Sequence, residues 1–204
     1  MKHFKYILVS LLAFACTQRL VAQSGGTFII SYPIGFPLGD LSEYTNSTSF
    51  QGISLEYLKN VKHNLGVGIE AGWNLFYQKE NEKTYTEGTQ SITGTQFRYT
   101  NAAPILAQVK FFKTSANSST TPYAGLGIGT LYVNRSTDFG LYRITNEAWQ
   151  FCLRPEIGII LRSKKNPGVG GMIGVKYYGA FANDDLNAQS YLTINIGFVA
   201  TSGY

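Results

Sequence analysis

Apolar and polar residues alternate along most of this chain. In residues 65–77 the odd positions are apolar, from Leu65 to Tyr77, while the even positions are glycine or polar apart from Phe76. Residues 149–161 and 192–198 repeat the alternation. A period of two is typical of β-strands that have one apolar face. No window of comparable length shows the 3.6-residue period of a helix, so the pattern predicts an all-β protein.

Polar and turn-rich segments divide this pattern into eight candidate strands. The strands lie near residues 26–36, 48–59, 64–78, 95–112, 122–137, 144–162, 168–182 and 189–200. Connections at one end of the strands are short or medium, at 60–63, 113–121 and 163–167. Those at the other end tend to be longer, at 37–47, 78–94, 138–143 and 183–188. The prediction is one antiparallel up-and-down domain with no internal boundary.

The first 22 residues differ from the rest of the chain. Lys2 and Lys5 precede an apolar run that is too short to span a bilayer, and Ala22 supplies the small residue of a cleavage site. These features are typical of a secretory signal peptide. We therefore expect residues 1–22 to be the signal peptide and 23–204 to be the barrel domain. The alternative is a lipoprotein signal with the lipid on Cys16, which Phe14 fits poorly.

Charge is sparse. Only 14% of the residues are charged, against roughly 25% in an ordinary soluble domain. Three of the 17 basic residues belong to the leader, which leaves 14 against 12 acidic residues. No basic cluster is interleaved with aromatic residues, so nucleic-acid binding is not expected. Cys152 is the single cysteine after cleavage and predicts a small buried or lumen-facing residue without a disulfide.

The polar face of the strands carries few charges, and the apolar face is continuous. A soluble barrel would expose many more lysines and glutamates, whereas scattered charges suit a narrow lumen in which they pair. Lipid would then contact the apolar face, as in a transmembrane β-barrel. The predicted lumen network consists of Glu56, Glu70, Arg98, Lys110, Arg154, Glu156 and Lys176.

Aromatic residues on the apolar face fall toward both ends of the strands. Two such belts flank the apolar band of a membrane protein at the two bilayer interfaces. The predicted girdle at the longer-loop end contains Phe36, Tyr77, Tyr99, Trp149, Tyr177 and Phe181. At the short-turn end it contains Tyr57, Phe111 and Phe198.

Three segments carry a family resemblance. They are the first-strand segment 32–40, the glycine-rich third strand that ends at 73–77, and the alternating last strand. In an exported chain of this size, they resemble the small outer-membrane β-barrel proteins of Gram-negative bacteria. These are the OmpX/OmpA-like barrels, also grouped as porin-family outer membrane β-barrel domains. The resemblance implies an eight-stranded transmembrane barrel in the cell outer membrane. It also implies outer-membrane lipid and the barrel-assembly machinery as partners.

Two features depart from that pattern. Such barrels commonly end in alternating aromatic residues, and Tyr204 is terminal, but Ser202 and Gly203 interrupt the alternation. Pro104 and Pro155 lie inside strand patterns, where a paired strand is expected to need a bulge.

The search for catalytic or metal-binding residues is mostly negative. The glycine runs at 125–129 and 168–174 lie inside strands with no helix after them, so they lack the context of a phosphate-binding loop. We expect these glycines to make room for large neighbours in the lumen. Asp184 and Asp185 fit a solvated loop better than a metal site. Cys152 and His63 do not suggest a catalytic pair, and no cofactor is expected.

Function follows from barrel width. Eight strands enclose an interior that their own side chains fill. We expect a non-enzymatic integral outer-membrane barrel, an envelope component with surface-exposed loops, no wide pore and an unknown surface partner. Two alternatives remain open at this point, namely a barrel that binds or carries a small apolar ligand and a soluble exported lipocalin-like barrel.

Overall fold

The computed structural model describes residues 25–62, 64–87, 90–113, 119–139, 142–163, 166 and 168–202, with side chains described outside 82–93. The signal-peptide prediction for 1–22, with Cys16, lies outside the described residues, as do His63 and Tyr204.

Eight antiparallel strands form a closed ring in chain order. Gly26–Leu38 in β1 pairs with Gln189–Thr201 in β8, and this pairing closes the barrel from Thr27–Thr201 to Leu38–Ser190. The predicted fold class is therefore confirmed. The strands between are β2 Gly52–Lys62, β3 Leu65–Glu87, β4 Gln90–Phe112, β5 Thr120–Phe139, β6 Tyr142–Arg162 and β7 Val169–Ala180.

Two of the predicted connections, the long one at 78–94 and the shorter one at 138–143, consist mostly of strand instead. β3 continues to Glu87 and β4 begins at Gln90, so most of the segment 78–94 is a paired hairpin. β5 and β6 likewise pair up to Phe139 and Tyr142. The loop prediction was wrong because backbone hydrogen bonds between two neighbouring strands do not require an apolar face.

The four central strands project beyond the ring. β3 and β4 have 23 residues each, β5 has 20 and β6 has 21, whereas the other four strands have 11 to 13. The β2 ladder reaches β3 only as far as Asn74, and the β7 ladder reaches β6 only as far as Cys152. We call the end with the projecting sheet the long-hairpin end and the opposite end the short-turn end.

The connection between β1 and β2 contains the helix α1, Asp40–Tyr44. Gly39 precedes it with a positive φ of 53°, a conformation that glycine adopts without strain. The Leu41 side chain is 1% exposed and packs into the barrel interior with Phe76 and Tyr191. α1 therefore fills part of the lumen at the long-hairpin end. In the described part of the chain no helix is long and apolar enough to cross a membrane.

The two prolines do not produce bulges, contrary to expectation. The pairs Ala71–Ile105 and Asn74–Ala102 flank Pro104 in one unbroken register. Pro155 is flanked in the same way by the β6–β7 pairs of Leu153 and Glu156. The ladder shifts are elsewhere, between Asn60 and Lys62 and between Glu80 and Lys83. Each proline removes one donor from the ladder without displacing its strand.

The barrel has inverted polarity. Ile69 and Ile157 on the outer face are 63% and 65% exposed, whereas Glu70 and Glu156 beside them are buried inside. The interior contains two apolar clusters with a charged layer between them. The cluster toward the short-turn end contains Ile29, Leu58, Tyr123, Ile160, Met172 and Val199. The cluster toward the long-hairpin end contains Leu41, Phe76, Ala102, Leu106, Leu131, Val133, Ala148, Cys152, Tyr178, Ala180, Leu186 and Tyr191.

Candidate functional site: a buried ring of charges

Six of the seven residues predicted for the lumen network lie in contact. Their side chains have no exposed surface. Each carboxylate pairs with two basic groups and each basic group with two carboxylates, which closes a ring of alternating charge. In ring order the members are Glu56, Lys110, Glu156, Arg154, Glu70 and Lys176.

The distances around the ring are all short. Lys110 Nζ lies 2.5 Å from Glu56 Oε2 and 2.8 Å from Glu156 Oε1. The two terminal nitrogens of Arg154 lie 2.5 Å from Glu156 Oε2 and 2.7 Å from Glu70 Oε2. Lys176 Nζ completes the ring at 2.7 Å from Glu70 Oε1 and 2.8 Å from Glu56 Oε1. Three positive and three negative charges balance, so this buried layer carries no net charge.

Strand register explains why these residues meet. Glu56 on β2 lies directly opposite Glu70 on β3, and Glu156 on β6 lies opposite Lys176 on β7. Like charges directly opposite each other destabilise a sheet. Barrel closure brings Lys176 across the lumen to both carboxylates, and this contact compensates the repulsion between Glu56 and Glu70.

Neutral side chains complete the coordination of the ring. Ser54 Oγ and Tyr178 OH donate hydrogen bonds to Glu70 Oε1 at 2.9 and 2.7 Å. Arg154 Nη2 donates to Gln108 Oε1 at 2.5 Å. Buried charges are tolerated when such hydrogen bonds accompany the ion pairs. Ser54, Gln108 and Tyr178 were missed by the sequence prediction, although all three share the inward parity of the charged residues.

Two glycines on β5 make room for the ring. A Cβ atom on Gly125 would lie 2.5 Å from Glu156 Oε1, and one on Gly127 would lie 3.1 Å from Arg154 Nε. Both glycines lie opposite the residues they accommodate. The expectation that glycines of the run 125–129 provide space for large side chains is confirmed at these two positions.

Arg98 is not a member of the ring, although it has the inward parity predicted for it. It precedes Lys110 by twelve residues on β4, which is about 40 Å along an extended strand. Its guanidinium donates to the Tyr44 carbonyl oxygen at 3.4 Å and to Gln96 Oε1 at 3.2 Å. Inward parity alone could not reveal that Arg98 lies at the long-hairpin end, far from the charged layer.

The predicted girdle residues lie on the outer face. At the short-turn end Tyr57, Phe111 and Phe198 are 52%, 57% and 72% exposed. Toward the other end the strongly exposed members are Tyr77, Trp149, Tyr177 and Phe181, while Phe36 and Tyr99 are half-buried. The Tyr77 and Tyr99 rings contact each other with centroids 5.1 Å apart. Trp73 and Tyr132 also face outward, and the Tyr132 ring packs on Trp149 at 5.0 Å.

A metal or nucleophile site is not apparent in this arrangement. Among the residues with described positions, no group of three or more His, Cys, Asp or Glu side chains could hold a metal ion. Asp184 and Asp185 are exposed in the connection between β7 and β8. Cys152 is free and buried in the apolar cluster toward the long-hairpin end, with the small lumen-facing role expected for it.

No protein-family model matches the chain, and no curated protein matches it in sequence. Solved structures do match in fold. Neisserial surface protein A aligns with a TM-score of 0.53 at 11% identity, covering 86% of this chain and 95% of the other. Ail of Yersinia pestis, solved in complex with the heparin analogue sucrose octasulfate, aligns with a TM-score of 0.51 at 13% identity, covering 88% and 99%. The outer membrane protease OmpT of Escherichia coli aligns with a TM-score of 0.49 at 8% identity, covering 87% and 93%.

The likenesses to Neisserial surface protein A and to Ail show the fold. The polarity of the barrel shows which environment surrounds it. An apolar exterior flanked by aromatic belts, around a lumen that holds the charges, is the arrangement of a barrel surrounded by lipid. The protein is therefore an eight-stranded β-barrel of the Gram-negative outer membrane. The alternative of a soluble lipocalin-like barrel is wrong, because that fold would place the charges outside.

Proposed function

We propose that the protein is a closed, non-enzymatic envelope barrel that presents its projecting sheet at the cell surface for contact. The observation that carries this proposal is the ring of six buried charges, which crosses the lumen between two apolar clusters.

The ring supports the absence of a wide pore. Its members come from β2, β3, β4, β6 and β7, so their side chains meet across the lumen rather than line an open channel. The apolar clusters on both sides, with Leu41 of α1 in one of them, add further occupied layers. A filled lumen also gives no support to the alternative of a carrier with a small apolar ligand inside the barrel.

Burial of the ring supports a non-enzymatic role. A general acid or base must come within hydrogen-bond reach of a substrate. The three carboxylates of the ring are enclosed without exposed side-chain surface, and each already accepts from two basic groups. Their chemistry is that of a structural network.

The length of the central strands supports a surface role. A strand needs about 9–11 residues to cross the membrane, and β3 and β4 have 23 each. Long segments of outer-membrane barrels face the outside of the cell, and short turns face the periplasm. On the projecting part of β6, Tyr142 and Ile144 are 74% and 66% exposed, which provides apolar surface for contact.

Conductance tests the closed lumen. The purified barrel is reconstituted in planar bilayers beside a trimeric diffusion porin as a positive control. We expect no sustained conductance steps from this protein under conditions in which the porin conducts. Stable steps of porin size would contradict the closed barrel.

Hairpin trimming tests the surface role. In the trimmed variant, residues 81–95 are replaced by a two-residue Asn-Gly turn, which leaves the ring intact. Intact cells that express the wild-type barrel should adhere to protein-coated or glycan-coated surfaces more than cells that express the trimmed barrel. Equal adhesion, with both barrels folded as judged by heat-modifiable gel mobility, would contradict the contact role.

A further inference from the structure

Two arginines meet one tyrosine at the long-hairpin end of the lumen. The guanidinium carbons of Arg98 on β4 and Arg135 on β5 lie 5.4 and 4.8 Å from the centre of the Tyr44 ring. Tyr44 is the last residue of α1, and its hydroxyl group lies 2.6 Å from Thr137 Oγ1 on β5. The helix, β4 and β5 therefore hold two cations beside one aromatic ring.

Neither arginine has a carboxylate partner within 4.0 Å among the residues that the structure describes. Arg98 donates to the Tyr44 carbonyl and to Gln96, and Arg135 donates to Gln189 Oε1 at 2.5 Å, so the acceptors are all neutral. The Nε atom of each arginine is buried and has no hydrogen-bond partner. The charge of Asp40 acts on Arg135 without a direct ion pair.

In contrast to Arg98 and Arg135, two other arginines lie in ion pairs with carboxylates. Arg154 lies in the neutral ring, and Arg143 at the long-hairpin end contacts Asp138 through two nitrogens at 2.5 and 2.6 Å. Within the described part of the chain, the two arginines at Tyr44 thus have no carboxylate in direct contact, and the nearby charge of Asp40 acts on Arg135 from a distance.

We propose that Arg98, Arg135 and Tyr44 form a binding site for one phosphate or sulfate group of a solute from outside the cell. Guanidinium groups match the oxygens of phosphate and sulfate through paired N–H donors. Both arginines are half-buried, so their charge is concentrated and still within reach of a solute. They have inward parity, whereas lipid contacts the outer face, so the anion would enter through the mouth of the barrel. This proposal does not depend on the proposed function.

Calorimetric titration of the purified barrel with pyrophosphate, in a non-ionic detergent at low salt, tests the site. The variants are Arg98→Gln and Arg135→Gln, and the matched control is Arg143→Gln, which removes a paired charge from the same end. We expect millimolar or tighter binding to the wild type, about tenfold or greater weakening in each test variant, and no change in the control. Asp40→Asn should strengthen binding, because it removes the nearby negative charge.

Several results would overturn the site. One is the absence of binding heat with millimolar pyrophosphate, and another is an equal loss of affinity in Arg143→Gln. The third is a loss of affinity in Arg98→Gln that Arg98→Lys does not partly restore, when all variants show wild-type heat-modifiable mobility. A second titration compares inorganic sulfate with a sulfated monosaccharide. Tighter binding of the saccharide identifies a sulfated sugar as the source of the anion, and equal binding identifies the free anion. Both results support the site, provided that Arg98→Gln weakens the binding of sulfate and of the saccharide.

Discussion

Lys176 Nζ lies 2.7 Å from Glu70 Oε1, although 106 residues separate the two along the chain. The same ammonium group contacts Glu56, which lies opposite Glu70 in the β2–β3 ladder. Lys176 therefore holds together two carboxylates that would otherwise repel each other, and it does so across the lumen from a strand that pairs with neither β2 nor β3.

Removal of this lysine should destabilise the barrel strongly. Lys176→Met leaves Glu56 and Glu70 buried side by side, and loss of one partner from a buried ion pair costs about 3–5 kcal/mol. Urea titration of the barrel in lipid vesicles measures the free energy of unfolding. Lys62→Met, at an exposed position near the short-turn end, is the matched control and should change little. Comparable stability of the two variants would contradict a structural role for the ring.

The ring should also behave as a coupled unit. We expect Lys176→Met combined with Glu70→Gln to cost less than the sum of the two single changes, because the second substitution removes a buried charge that has already lost one of its two basic partners. A double-mutant cycle in vesicles measures this coupling. Strict additivity would show that the 2.7 Å contact makes no energetic contribution.

The outer face should not tolerate charge. Ile157 is 65% exposed in the apolar band, so Ile157→Arg places a cation in hydrocarbon and should cost about 2–4 kcal/mol near the midplane. Ile157→Leu is the control and should remain close to wild type. Denaturant titration in lipid vesicles measures the free energy of unfolding of both variants. A silent Ile157→Arg substitution would contradict lipid contact at this face.

Topology predicts which connections reach the outside of the cell. An epitope tag inserted between Gly88 and Thr89 should be stained by antibody on intact cells. A tag inserted between Lys164 and Lys165 should be stained only after the outer membrane is permeabilised, because short turns face the periplasm. The reverse staining pattern would invert the orientation.

The leader is expected to be removed after Ala22 without lipid on Cys16. The n-region, apolar core and small residue fit a secretory signal peptide. Intact mass of the protein purified from the envelope, together with N-terminal sequencing, checks both points. A mature chain that begins at an acylated Cys16 would show the lipoprotein alternative instead.

A pH-dependent pair lies near the tip of the β5–β6 hairpin, outside the membrane. Hydrogen bonds from Arg143 lower the pKa of Asp138 below its ordinary value. The stabilisation from the pair is thus complete above the ordinary carboxyl pKa and is lost as pH falls through the lowered pKa. Arg143→Gln should return the pKa toward the ordinary value, measured by NMR titration of the Asp138 carboxyl carbon. An unchanged pKa would show that Arg143 does not control this group.

Local alternation determined much of the fold. A strand exposes successive side chains to opposite faces, so the parity of Ile69 and Glu70 in the sequence already separates the outer face from the lumen. Barrel width follows from the count of eight strands. The inward parity of Glu56, Lys110 and Arg154 likewise predicted a paired lumen network before any partner was known.

The tertiary structure alone decided which groups meet. Arg98 has the same parity as Lys110, yet its height on β4 places it beside Tyr44, and no local pattern encodes that height. The contact between Lys176 and Glu70 exists only because β1 and β8 close the ring. Leu41 enters the lumen on a helix that the alternation does not predict. The period-two pattern is a property of single strands, whereas contacts across the lumen depend on register and closure of the whole barrel.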